Sequence, residues 1–182
     1  MKYESCAYHT VLHKHPVVKF FFRLKFKKII KLANLKKTDF ILDFGCGDCW
    51  LKKILPEYKI IGYDLNPKQT EIEDYTKLRP DKIFVIDVFE HIPKEEIEKI
   101  LKNFKKMNPD FELITSIPTE NWISRKIRRL VGKREKAPDH ITPIEQIWPI
   151  LTSELRLIKK INFLTIGWLA KLKNQELSNW HE

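Results

Sequence analysis

The sequence predicts an α/β fold with a mostly parallel sheet, and three stretches predict it. Phe40, Ile41 and Leu42 form an apolar run of strand length, ended by a turn holding Gly45 and Gly47, after which Trp50, Leu51, Ile54 and Leu55 recur at helical spacing. Ile60 and Ile61 make a second run that ends at Asp64, completing a strand, loop, helix and strand. Residues 83–86 form a third buried-strand run, and Ile97, Ile100, Leu101 and Phe104 follow at helical spacing behind Pro93. Strands alternating with helices imply crossover units and a parallel sheet.

A chain of 182 residues is long enough to bury one domain's core. Residues 1–38 are expected to form a basic amphipathic helical cap and residues 39–182 the ligand-binding part of a single compact domain. From His9 to Thr38 there is no Asp or Glu. Val18, Phe22, Phe26, Ile29, Ile30 and Ala33 are predicted to face inward there, with Lys19, Arg23, Lys27 and Lys31 outward. Phe20, Phe21 and Leu24 lie off that face, which leaves open a role at a membrane interface or over an apolar substrate.

The net charge of +10 suits an anionic partner such as nucleic acid, an acidic lipid surface or a phosphorylated substrate, and equally suits mere solubility. Cys6, Cys46 and Cys49 are an odd number, two of them inside the glycine loop, so a reducing compartment without structural disulfides is expected. Cytoplasmic location follows as the default. No apolar run has transmembrane length, and the N-terminus has no signal-peptide form.

The glycine loop carries the chemistry. Residues without Cβ let a ligand lie against backbone amides, and an acid about twenty residues on meets a ribose in nucleotide-binding β-α-β units. Asp64 stands at that offset, so an adenosine-like ligand is expected. The dinucleotide fingerprint fails because Trp50 replaces its third glycine, which disfavours hydride-transfer cofactors. The spacing of Cys46 and Cys49 fits a redox motif, but such a motif does not need Asp43, Gly45 or Asp64.

Asp43, Gly45, Gly47 and Cys49, the last in place of a usual glycine, resemble the first motif of class I S-adenosylmethionine-dependent methyltransferases. Residues 81–93, D-K-I-F-V-I-D-V-F-E-H-I-P, resemble that family's fourth-strand motif. Residues 111–118 resemble its fifth strand and residues 158–173 its closing hairpin, so the likeness spans 39–173. It implies a three-layer Rossmann-like fold with seven strands in the order 3-2-1-4-5-7-6, strand 7 antiparallel. Few residues separate Asp64 from Ile83, so the third strand is expected as a brief edge near Thr70 to Tyr75.

The resemblance implies S-adenosylmethionine as cofactor, held by Asp43, Gly45, Cys46, Gly47, Asp64, Leu65, Glu71, Ile72, Asp87 and Val88. Gly45 and Gly47 would admit the methionine portion, Asp64 would accept from the ribose hydroxyls, and Glu71 with the Ile72 amide would meet the adenine. His91 and His140 are the candidates for catalysis. Asp87, Glu90 and His91, with His140 as a distant fourth, also resemble the acid-x-x-Glu-His arrangement of some magnesium-dependent O-methyltransferases. Magnesium prefers oxygen ligands, however, so it is not favoured, and no residue is assigned to a metal. Glu90 and His91 are read instead as a cap and brace of the junction.

Residues 119–136 read as a second basic amphipathic stretch, with Trp122, Ile123, Ile127, Leu130 and Val131 inward. His140 follows in a loop, and Thr142 and Pro143 open another helix. The expected activity is methyl transfer to a small-molecule or lipid-like acceptor, at oxygen or nitrogen. The alternatives are an RNA 2′-O-methyltransferase, for which the basic helices would neutralise phosphates, and a non-catalytic binding module.

Overall fold

The computed structural model describes residues 16–119, 121 and 140–175. In chain order these form α1 (Pro16–Ala33), β1 (Phe40–Phe44), α2 (Trp50–Ile54), β2 (Lys59–Tyr63), β3 (Lys82–Ile86), α3 (Lys94–Met107), β4 (Glu112–Pro118), α4 (Ile144–Glu154), β5 (Leu155–Phe163) and β6 (Gly167–Asn174). Residues 120 and 122–136 of the second basic stretch, and Cys6, lie outside the described residues.

Period-two alternation divides the core into two layers. Leu42, Phe44, Ile83, Val85 and Leu113 pack with Ile97 and Leu101 of α3 and Ile147 and Leu151 of α4. Their neighbours Ile41, Phe84 and Ile114 point the other way, to Ile29 and Ala33 of α1 and Leu51 of α2. Both faces of the central strands β1, β3 and β4 are thus covered, as a parallel sheet requires.

The sheet order is β2-β1-β3-β4-β6-β5. β1 pairs in parallel with β2 and β3, and β3 with β4, while β6 runs antiparallel to β4 and to β5. This is the expected Rossmann-like methyltransferase order with one antiparallel strand, but in six strands: no third strand forms near Thr70 to Tyr75. The backbone there is spent on local turns. The Asn66 carbonyl accepts from the Gln69 and Thr70 amides, and the Asp74 side chain accepts from the Thr76 amide at the head of a 3-10 turn, Tyr75–Lys77. Glu71 covers the vacated edge instead: its amide donates to the Gly62 carbonyl and its carboxylate accepts from the Gly62 amide, 2.8 Å away. Tyr75 fills the space beside the sheet, its ring 4.7 Å from Tyr63 and 5.0 Å from Phe44.

The inward face of α1 is rotated from its expected setting. Lys25, Ile29, Leu32 and Ala33 are buried, Phe21 packs on Phe163 with ring centroids 5.0 Å apart, and Phe22, Phe26 and Ile30 are only half-buried. Hydrophobic periodicity misses this because the face includes a lysine. Lys25 is 7% exposed, and a carboxylate inside the fold holds it there. The side chain of Val18 lies outside what is described.

At the opposite end of the sheet the Glu112 carboxylate accepts from Lys82 and, at 2.9 Å, from Lys171, while Asp39 lies 3.6 Å from Lys82. These lysines hold the Glu112 carboxyl below its ordinary range against the opposing effect of burial. Removing the carboxylate leaves two poorly solvated ammonium groups, so Glu112→Ala is expected to cost about 3 kcal/mol in urea denaturation. A carboxyl with a depressed folded-state pKa contributes stability present above its ordinary value of 4.5 and lost as pH falls. The wild-type protein should therefore lose this contribution on acidification, and the variant should not.

Candidate active site

The site is assembled where β1, β2 and β3 end. Gly45 and Cys46 donate their amides to the Tyr63 carbonyl, at 2.8 and 3.0 Å, which folds the loop after β1 across the end of β2. Gly45 has φ 75°, and a Cβ there would lie 2.5 Å from Val88 Cγ2. The loop therefore touches the β3 junction closely enough to require glycine. Gly47 and Cys49 are also left-handed, at φ 50° and 53°. Cys49 occupies the conformation a glycine would take at lower cost.

Asp64 ties the loop to β2: its Oδ2 accepts from the Gly47 amide and its Oδ1 from the Asn66 amide, each at 2.9 Å. Glu71 pairs with Lys52 besides capping Gly62, Ile72 is half-buried beside the Thr70 hydroxyl, and Leu65 is exposed. Asp43, at the end of β1, is buried. Burial first, then the charges of Asp64 and Glu71, push its carboxyl up to about 7. Asp48 Oδ1 accepts from Gln69, while its buried Oδ2 has no hydrogen-bond partner among the described residues.

Sequence reasoning missed Gly62, although a lone glycine in a strand signals close approach. The thiols of Cys46 and Cys49 lie 3.3 Å apart, and a Cβ at Gly62 would come within 2.8 Å of both sulfurs. Burial raises both thiols above their ordinary range, so they act as packing atoms rather than thiolates.

Asp87 ends β3 with φ 53°. Its amide donates to the Ser116 carbonyl, and its Oδ1 accepts from Ser116 Oγ at 2.7 Å and from Lys25 Nζ at 2.6 Å. Neither Lys25 nor Ser116 was legible as a site residue, since each comes from a different element. Beyond Val88, a 3-10 turn, Phe89–His91, presents Glu90 and His91. The Glu90 carbonyl accepts from the Ile141 and Thr142 amides at 2.7 and 3.1 Å, and Thr142 Oγ1 donates to the Ile92 carbonyl at 2.6 Å. These bonds seat the loop before α4 on the turn and bring the His140 ring to 5.0 Å from that of His91. Glu90, His91 and His140 form one cluster, whereas Asp87 is engaged by Lys25 and Ser116 instead.

The fold and this arrangement define a Rossmann-like methyltransferase. The methyltransferase-domain family model matches residues 17–175, and the chain belongs to that family. No curated relative matches it in sequence. Among solved structures it is similar to the magnesium protoporphyrin IX methyltransferase of Synechocystis PCC 6803, bound to S-adenosylhomocysteine, at 14% identity, TM-score 0.63 and 88% coverage of each chain. It is also similar to the N-methyltransferase NodS of Bradyrhizobium japonicum WM9, at 18%, 0.63 and 91% of each chain. A third is the PH0226 protein of Pyrococcus horikoshii OT3, at 13%, 0.67, 92% of this chain and 95% of that one.

A methyltransferase domain implies S-adenosylmethionine as methyl donor. The residues present fit it, because its cationic centres and ribose hydroxyls suit a corner where Asp43, Asp64 and Glu71 gather and Asp48 keeps a buried acceptor atom unpaired. Among the described residues no helix is long and apolar enough to cross a membrane.

Two stability measurements probe this corner. Gly62→Ala should cost about 1–3 kcal/mol by overpacking the two sulfurs, and adding Cys49→Ala should recover part of it. A carboxyl whose folded-state pKa is raised destabilises progressively as pH rises from its ordinary 3.8 to about 7. Thermal melts of the cofactor-free protein should therefore show Asp43→Asn above wild type at pH 8, the gap closing towards pH 4.

Proposed function

We propose that this methyltransferase moves the methyl group of S-adenosylmethionine to a small-molecule or lipid-like acceptor, at oxygen or nitrogen. The observation that carries the acceptor class is the ion pair of Lys25 with Asp87. It brings α1 against the β3 junction with the Phe22 ring 5.9 Å from the ammonium, so an aromatic-rich helix overhangs the reacting end. Ile141, beside His140, is 63% exposed and adds apolar surface there. Two of the structural neighbours are named, respectively, for a porphyrin acceptor and for N-methylation.

The bound cofactor supplies a methyl group already activated by its sulfonium charge. The chain's own work is positioning and proton handling. In this reading the loop from Gly45 to Gly47 admits the methionine portion, with Cys46 at its turn, and Asp64 exchanges its Gly47 bond for the ribose hydroxyls. Leu65, Glu71 and Ile72 border the adenine. Asp87 and Val88 bound the sulfonium end, and His91 with His140 meets the acceptor and its proton.

The exposed cations of α1, Lys19, Arg23, Lys27, Lys28 and Lys31, favour RNA as the second reading. Release of the bound acceptor by rising salt would support RNA; binding insensitive to salt supports the apolar acceptor.

Calorimetric titration with S-adenosylmethionine and its demethylated product, beside NAD, tests the cofactor assignment. Asp64→Ala is expected to lose binding of the first two by at least tenfold while remaining folded, and unchanged binding would overturn this registration of the loop. Binding of the cationic cofactor favours ionised Asp43. Affinity should therefore rise with pH by up to about tenfold per unit until pH 7, then level. Asp43→Asn should flatten that profile.

A further inference from the structure

We propose that the outward face of α1 and the tip of the β5–β6 hairpin form a docking surface for an anionic lipid bilayer. Phe20 is 69% exposed and Leu164 55% exposed, although both are large and apolar. They flank one contact: Phe21, next to Phe20, packs on Phe163, next to Leu164, with ring centroids 5.0 Å apart. Leu164 and Thr165 form the hairpin tip with φ 50° and 61°, a backbone that glycine or asparagine takes at lower cost. An apolar side chain is thus presented to solvent where a turn residue would serve the fold better.

The charges around this pair have one sign. Arg23, Lys27 and Lys31 follow Phe20 at steps of three, four and four, so these side chains form one exposed stripe opposite the buried Lys25, Ile29 and Leu32. Neither α1 nor residues 155–174 contain an Asp or Glu. The hairpin joins the same face: Lys171 donates to the Ala33 carbonyl at the end of α1, and Lys159, opposite Lys171 on β5, is exposed. Cations with apolar side chains at one end fit a bilayer, whose anionic headgroups meet the charges while the apolar tips enter the acyl boundary. RNA would meet the same cations, but it offers an exposed leucine no comparable burial.

The surface lies at the end of the sheet that carries the site. Gly167, just past the hairpin tip, pairs with Pro118, two residues beyond the Ser116 that binds Asp87. Phe20 is little more than one helical turn from Lys25, the other partner of Asp87. Docking therefore brings that end of the sheet to the leaflet. For a lipid-like acceptor, a consequence that rests on the proposed function, it shortens the path from bilayer to cofactor.

Vesicle co-sedimentation of the full chain reads docking without acceptor or cofactor, so its outcome is separate from that of the methyl-transfer assignment. Vesicles of phosphatidylcholine with about one-third phosphatidylglycerol should bind the protein, and phosphatidylcholine alone should bind it at least tenfold more weakly. Phe20→Ser combined with Leu164→Asn should weaken binding to the anionic vesicles at least tenfold at an unchanged thermal midpoint, because both positions are exposed and asparagine accepts the left-handed turn. Arg23→Gln, Lys27→Gln and Lys31→Gln together should weaken it about a hundredfold. Absence of binding to the anionic vesicles by folded protein would overturn the proposal, as would binding that Phe20→Ser and Leu164→Asn leave unchanged. In the latter case, competition by a single-stranded RNA oligonucleotide would assign the face to nucleic acid instead.

Discussion

Gly45 has no side chain because Val88 occupies the space that one would need, and much of the site follows from that contact. Its left-handed backbone turns the chain sharply enough for its own amide and that of Cys46 to reach the end of β2. The Gly47 amide then meets Asp64, close to the buried Asp43. Val88 in turn lies between Asp87, which α1 holds, and the turn carrying Glu90 and His91. A displacement at Gly45 would therefore reach both the carboxylate corner and the histidine pair.

The two ends of the sheet use buried charge differently. Around Glu112, Lys82 and Lys171 meet the carboxylates of Glu112 and Asp39 where β3 and β4 begin, so the charges there balance within the protein. At the other ends burial first, and then the charges of Asp64 and Glu71, press Asp43 towards its neutral form. Three acids gather in that corner, of which Glu71 pairs with Lys52, Asp64 accepts from two backbone amides and Asp43 is buried. Lys25 and Asp87 lie between these extremes. Their pairing carries a lysine into the core face of α1 and ties that helix to the β3 junction.

The missing third strand shows how a short chain closes a sheet. Glu71 supplies both a main-chain and a side-chain bond to Gly62, and Tyr75 packs where a crossover helix would otherwise cover Phe44 and Tyr63. The residue expected to meet adenine is thus also the residue that caps the edge.

Several features were legible in the sequence because they are local. Continuous apolar runs marked β1 to β3, the family likeness marked β4, the spacing of Ile97, Leu101 and Phe104 marked α3, and Gly45 and Gly47 marked the turn after β1. Gly62 was legible in principle and was missed. The strand order followed only through the family likeness, since periodicity says nothing of which strands are neighbours. Tertiary structure alone decided that Lys25 turns inward, because its burial depends on a carboxylate 62 residues away in the chain. It alone decided that Asp87 leaves the histidine cluster for Lys25 and Ser116, and that His140 joins Glu90 and His91 through bonds made by its neighbours' amides. Sequence pattern records what each residue prefers in its own element; which charges meet depends on how separate elements pack, and the chemistry of this site lies in those meetings.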